Sequence, residues 1–276
     1  MPLHDVDTSD PTMAQAAAIG GGTGAGGARE EGNEAHKRAY VRATFSEIAP
    51  RYDLLNHLLS FNIDRAWRRR AIRALEWRRE ASGVFLDLCA GTLDVSAMLA
   101  REPGFEGVVI GADFAEPMLR AGVGKAPATV VWPLAADALD LPLATDSVTG
   151  AIVAFGIRNV SNLDDALREV LRVLRPGAPF VILEFTTPRS RIVRALYHVY
   201  FRHLLPLVGR IVSGHKTAYQ YLPASVAYFP VEESLAAYMT SAGFVDIRWQ
   251  TLSLGIAAIH VGMKPRRTEP VAQTER

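Results

Sequence analysis

The run Val84-Phe85-Leu86-Asp87-Leu88-Cys89-Ala90-Gly91-Thr92-Leu93-Asp94 decides the architecture of this 276-residue chain. Apolar residues of strand type fill its first half, small residues make a turn, and a helical pattern (Val95, Met98, Leu99) follows at once. Strand, tight turn and helix N-terminus, in that order, open a doubly wound α/β sheet, in which ligands lie beyond the carboxyl ends of the strands. Gly91 lets a ligand approach the backbone of the turn closely.

A second strand run, Val108 to Phe114, ends in Asp113, 22 positions after Gly91. A carboxylate about 20 residues beyond such a turn can bond both hydroxyls of a ribose. Dinucleotides and S-adenosylmethionine both fit that much. A dinucleotide loop wants Gly-x-Gly-x-x-Gly, with a pyrophosphate on the helix N-terminus. Here the loop has one glycine and an acid, Asp94, where the phosphate would sit. Asp94 repels an anion and tolerates a sulfonium cation, which favours S-adenosylmethionine.

Composition narrows the class further. Thirty Lys and Arg balance 29 Asp and Glu, so nothing argues for a nucleic-acid partner. The single cysteine, Cys89, lies in an apolar strand, reads as core, and suits a reducing cytoplasm. The seven His are scattered, so no metal site is expected. No apolar run reaches the length of about 18 residues that a membrane span needs.

Outward from the two anchors, residues 1–34 read as a disordered tail despite their glycines, because no strand precedes them. Residues 35–80 read as a helical region, and the arginines from Arg65 to Arg79 with Trp67 and Trp77 leave an anionic membrane surface open as a partner. A third strand is expected at Thr129–Trp132, with Asp137 and Ala138 after it placed for an adenine edge. A fourth is expected from Ser147 to Ile157, with Phe155, Arg158 and Asn159 at its carboxyl end. A fifth is expected over Phe180–Phe185. Asn162 to Leu174 is an amphipathic helix stopped by Pro176-Gly177. Within a helical cap over residues 190–230, Ile192 to Val212 is too charged to span a bilayer and more apolar than a surface helix needs. Helix Glu232–Ala242 and a hairpin, Val245–Leu254 with Ile256–Lys264, close residues 35–265 as one domain, and 266–276 form a loose tail.

Phe155-Gly156-Ile157-Arg158-Asn159-Val160, together with Tyr52-Asp53-x-x-Asn56 and Gly255-Ile256-Ala257-Ala258-Ile259-His260, resembles the menaquinone and ubiquinone C-methyltransferase family. Leu183-Glu184-Phe185 and Arg172-Val173-Leu174-Arg175-Pro176-Gly177 extend the likeness, which runs from about residue 37 to Lys264. It departs at Leu93, Asp64, Thr149 and Ala178, where the family usually has a small residue, His, Asp and Gly.

The resemblance implies a class I methyltransferase fold, Rossmann-like, with a mostly parallel seven-stranded sheet and an antiparallel C-terminal edge. It implies methyl transfer from S-adenosylmethionine to a ring carbon of a prenylated quinol, demethylmenaquinol foremost. Asp87, Ala90, Gly91, Thr92, Asp113, Phe114, Asp137 and Ala138 would hold the cofactor. Tyr52, Asn56, Asp64 and Phe155 would meet the substrate. Arg158, Asn159, Tyr52 and Asp53 would be catalytic. The expected setting is the cytoplasm, with the inner face of the cell membrane and a homodimer left open.

The chemistry asks for an ionised hydroxyl. A phenol starts near pKa 10, and a guanidinium about 4 Å from the oxygen is worth roughly 4 kcal/mol at an effective dielectric of about 20, or about 3 units. Arg158 is the expected source of that charge. A related enzyme acting on another small molecule, or an inactive cofactor-binding scaffold, are the alternatives.

Overall fold

The computed structural model describes residues 38–39, 41–43, 46, 62–199, 225–226 and 228–267. Seven strands, β1 (Val84–Leu88), β2 (Val108–Asp113), β3 (Val131–Ala135), β4 (Gly150–Ala154), β5 (Pro179–Phe185), β6 (Val245–Leu252) and β7 (Ala257–Met263), form one sheet in the order β3-β2-β1-β4-β5-β7-β6. β1 to β5 pair in parallel, and β7 runs antiparallel to both of its neighbours, so the C-terminal hairpin finishes the sheet as expected. The strand order reverses between β1 and β4, which places the ligand crevice at their carboxyl ends.

Helices α1 (Ile63–Ala74), α2 (Asp94–Ala100), α3 (Glu116–Gly122), α4 (Leu163–Val173), α5 (Arg191–Val199) and α6 (Glu232–Ala242) cover the sheet. Alternate strand residues serve two cores. Phe85, Val109, Val181 and Leu183 join Trp67, Ile72, Leu93 and Leu99 on one face. Leu86, Leu88, Phe180 and Ile182 join Leu167, Val170 and Met239 on the other. α1 descends from the carboxyl edge, where Trp67 meets Phe155 and Phe185, to the region of Gly150, beside which Leu75 packs.

Three expected boundaries move. β3 lies two residues later than the apolar run suggests and contains Pro133, which an edge strand tolerates because its missing N–H faces no neighbour. β4 stops at Ala154 rather than Ile157, since Phe155 turns out of the sheet at φ 63° and residues Ile157–Asn159 form a 3-10 turn. The Arg-rich region does not continue as one helix: Glu76, at φ 52°, breaks α1 from a short 3-10 turn at Trp77–Glu80. Asn162 caps α4 by accepting the Asp165 N–H at 3.1 Å. Of the expected segment Ile192 to Val212, α5 covers the part up to Val199, and the rest lies outside the described residues, as do both tails apart from residues 266–267.

Candidate functional site

The β1–α2 turn is built by backbone conformations that side chains rarely adopt. Cys89, Gly91 and Leu93 have φ of 52°, 53° and 63°. Leu93 pays that strain in exchange for burial: a Cβ on Gly111 would meet its Cδ2 at 2.4 Å, so its side chain fills the space that two glycines, Gly111 and Gly122, leave open. Behind the turn, Asp87 accepts both the N–H (2.9 Å) and the hydroxyl (2.6 Å) of Ser96, in the first turn of α2. Burial pushes the Asp87 carboxyl up from its ordinary 3.8 to about 7, with the Ser96 bonds opposing the rise. Asp87 is thus spent on anchoring the helix.

Asp94 corrects one step of the cofactor reasoning. Its carboxylate sits 2.6 Å from the Lys125 ammonium, so its charge is compensated and does not by itself discriminate between an anion and a cation at the turn.

Asp113 does face the crevice. One carboxylate oxygen accepts the Gly91 N–H at 2.9 Å and the other the Ala115 N–H at 2.8 Å, which fixes the group and leaves further lone pairs available. The cleft before it encloses about 690 Å³, open mouth included. Gly91, Asp113, Phe114, Asp137, Ala138, Phe155 and Asn159 line it, and these come from four separated segments that the sheet brings together. Asp87, Ala90 and Thr92 do not line it: Thr92 is buried, its carbonyl backed against Gly122. Sequence reasoning missed Cys89, Met118 and Arg38 on its wall. Arg38 reaches the Asp137 carboxylate at 3.3 Å and ties the N-terminal helical segment to the cleft. A carboxylate, small residues at a turn and an apolar wall suit a ribose and an adenine.

Arg158 is held in a buried ion pair. Its Nη1 donates to Glu184 Oε1 at 2.7 Å and also to the Phe155 carbonyl, and its Nε donates to Ser225 Oγ at 3.3 Å. The two side chains of the pair are only 6% and 3% exposed. Burial raises the Glu184 carboxyl, and Arg158 opposes that rise. A guanidinium already facing a carboxylate has little uncompensated charge to give to a phenolate, so the roughly 4 kcal/mol of a lone cation at about 4 Å is reduced here. The sequence carried a signal for this partner: Glu184 is the one charged residue in the otherwise apolar β5.

Asp64 and Arg68, one helical turn apart, form a second buried pair (3.4 Å), and the Arg68 guanidinium lies 5.4 Å from the Phe155 ring. Phe155 and Phe185 pack with centroids 4.6 Å apart, and Trp67 closes the cluster at 6.1 and 6.2 Å. Phe155, which Arg68 faces, lines the cleft, whereas Asp64 and Arg68 do not. Tyr52, Asp53 and Asn56 lie outside the described residues. Thr149 accepts the Val84 N–H at 3.2 Å at the amino ends of β1 and β4, so its departure from the family pattern concerns packing far from the cleft. Among the described residues no cluster could hold a metal ion.

The model of the ubiE/COQ5 methyltransferase family matches residues 33–264. The chain belongs to that family. A demethylmenaquinone methyltransferase of Thermus thermophilus is 49% identical over 225 residues, which are 80% of this chain and 100% of the relative. A ubiquinone/menaquinone biosynthesis C-methyltransferase of Geobacter sulfurreducens is 42% identical, covering 81% of this chain and 88% of the other. Among solved structures, a methyltransferase of Thermotoga maritima, described as S-adenosylmethionine-dependent, aligns with a TM-score of 0.56 at 18% identity over 80% of this chain and 98% of that one, a likeness of fold. The ubiE/COQ5 membership bears out the resemblance read from Phe155 to Val160 and makes the chain a methyltransferase.

Proposed function

We propose that this methyltransferase carries a methyl group from S-adenosylmethionine to a ring carbon of a prenylated quinol, demethylmenaquinol foremost. The observation that carries the reading is the match, at 49% identity over the whole length of the relative and 80% of this chain, to a demethylmenaquinone methyltransferase. When bound, S-adenosylmethionine supplies an electrophilic methyl on a sulfonium. Asp113 would hold the ribose hydroxyls, Gly91 would give room at the turn, and Asp137 with Ala138 would meet the adenine. Phe155 would present an apolar surface to the quinol ring.

Ionising a ring hydroxyl falls to Arg158, Asn159, Tyr52 and Asp53 in this reading. Glu184 fixes Arg158 and moderates its charge, so the guanidinium acts through directed hydrogen bonds more than through bulk field. Asp64, paired with Arg68, is a weaker candidate for the proton acceptor than Asp53. No helix among the described residues is long and apolar enough to cross a membrane. A cytoplasmic enzyme that reaches its lipophilic substrate from the inner face of the membrane fits the reading.

Titration calorimetry with S-adenosylhomocysteine, followed by turnover of a demethylated quinol, tests the proposal. Binding with transfer to quinols supports it, transfer confined to hydrophilic phenols overturns the substrate, and binding without transfer to any acceptor overturns the activity.

A further inference from the structure

Leu254 is 78% exposed and sits at φ 60°, between Ser253 at 46° and Gly255 at 89°. Three left-handed residues in succession hold an apolar side chain out into solvent at a conformational cost, with nothing among the described residues to bury it. The turn is nevertheless fixed on both sides. Trp67 Nε1 donates to Ser253 Oγ at 3.0 Å, tying the turn to α1, and Gly255 backs onto Pro188, whose Cα would lie 3.5 Å from a Cβ at that position, close to the start of α5. On either side stand two more apolar side chains that face solvent, Ile63 in the first turn of α1 and Ile192 in the first turn of α5, 44% and 75% exposed.

The solvent faces of the two flanking helices carry charge of one sign, while an exposed acid nearby, Glu233, is paired with Arg189, whose backbone N would lie 3.9 Å from a Cβ on Gly255. The solvent face of α1 is Ile63, Arg65, Ala66, Arg69, Arg70 and Arg73, and that of α5 is Arg191, Ile192, Arg194, Ala195 and Val199. Neither face carries an acid, and Arg65, Arg191 and Arg194 form no ion pair among the described residues. Elsewhere on the surface arginines are commonly paired, as Arg120 is with Glu116 and Arg175 with Glu80. The start of α1, the start of α5 and the Leu254 turn lie at the carboxyl edge of the sheet: α1 begins there beside Phe155 and Phe185, α5 follows the end of β5, and the β6–β7 turn caps Phe185, which pairs with Ala257. The cleft opens at that same edge.

Isolated protruding apolar side chains set among arginines that no described acid pairs complement a fluid anionic sheet, which lets apolar groups sink while headgroups meet the cations. We propose that this edge docks on an anionic lipid bilayer, with Leu254, Ile192 and Ile63 entering the acyl boundary and Arg65, Arg191 and Arg194 contacting headgroups. The inference deepens the functional reading above and rests on it for purpose: a prenylated quinol is dissolved in that bilayer, and docking points the cleft at it.

The full chain is sedimented with phosphatidylcholine vesicles with and without phosphatidylglycerol. Wild type is expected to bind the anionic vesicles and to be released by salt. Leu254→Glu/Ile192→Glu and Arg65→Glu/Arg191→Glu are each expected to lose about tenfold or more in partitioning. Leu254→Gly, which suits φ 60°, guards against misfolding and should also bind more weakly with an unchanged melting temperature. Turnover of a short-chain, water-soluble quinol should be unaffected in all three variants, while turnover of a prenylated quinol in vesicles falls with binding. Variants that bind anionic vesicles as tightly as wild type overturn the proposal, even with full turnover. So does a dimer in ultracentrifugation that Leu254→Glu dissociates without changing vesicle binding, because a second copy then covers the patch. Vesicle binding that follows the expected pattern in a protein that methylates no quinol overturns the functional reading and leaves the docking surface standing.

Discussion

Asp87 shows how a single buried group sets a measurable pH dependence. Its folded pKa, about 7, lies above the ordinary 3.8, so the folded state holds the proton more tightly than the unfolded one. Stability therefore falls as pH rises from about 4 to about 7 on account of this residue, and the penalty is fully present above that window. Asp87→Asn keeps an oxygen for Ser96 and removes the ionisation. In urea denaturation it should gain on wild type as pH rises from about 5 to about 8, by up to a few kcal/mol. A gap that stays constant across that range would mean the carboxyl is not the titrating group. At Arg158 and Glu184 the same reasoning warns against a simple reading of mutants. Arg158→Ala strands a buried carboxylate and should cost about 3–5 kcal/mol, most of which Arg158→Met combined with Glu184→Gln should restore. If the double variant regains stability and not turnover, Arg158 acts in the chemistry. If it regains both, the pair is structural.

The elements were legible where local pattern and long-range packing agree. β1, β2 and β5 are apolar runs with nowhere to go but a buried sheet, and α4 carries its own start and stop in Asn162 and Pro176-Gly177. Pattern failed where tertiary position decides. Pro133 argues against a strand until one knows that β3 is an edge, and Phe155 looks like strand until its left-handed turn is seen. Of the cleft, Gly91, Asp113, Asp137 and Asn159 could be named from motif spacing, because the fold fixes where a strand's carboxyl end points. Arg38 could not, since its meeting with Asp137 spans 99 residues of sequence, nor could Lys125, which compensates Asp94 from 31 residues away. Leu93 belongs to both classes. The sequence shows a leucine where a small residue is usual, and only the packing against Gly111 and Gly122 explains why it stays. Leu93→Gly should relieve about 1–2 kcal/mol of left-handed strain and forfeit about 2–5 kcal/mol of burial, for a net loss of about 2 kcal/mol in chemical denaturation. A variant more stable than wild type would show that the turn, not the core, sets the balance.

At the scale of the whole molecule the cleft is a joint between segments, since the ends of β1, β2, β3 and β4 and the Arg38 segment all contribute to its wall. A ligand seated there is linked to global unfolding, because each segment must be in place for it to bind. With S-adenosylhomocysteine at about 100 times its dissociation constant, linkage gives about 2.7 kcal/mol. For a domain of this size that is a rise of roughly 5–10 °C in melting temperature. Asp113 is the residue on which that rise should depend. Asp113→Asn retains an oxygen for one of the two backbone N–H groups that the carboxylate now satisfies, at Gly91 and Ala115, so the free protein should lose only about 1–2 kcal/mol. Its amide is a poorer partner for two ribose hydroxyls than a carboxylate, which accepts from both, and most of the ligand-induced rise should vanish at the same ligand concentration. NADH should leave the melting temperature of either protein unchanged, because the turn carries a single glycine where a pyrophosphate loop needs three. An equal rise in wild type and Asp113→Asn would move the nucleoside away from β2. A rise with NADH would reopen the choice between the two cofactor classes that the pairing of Asp94 with Lys125 no longer decides.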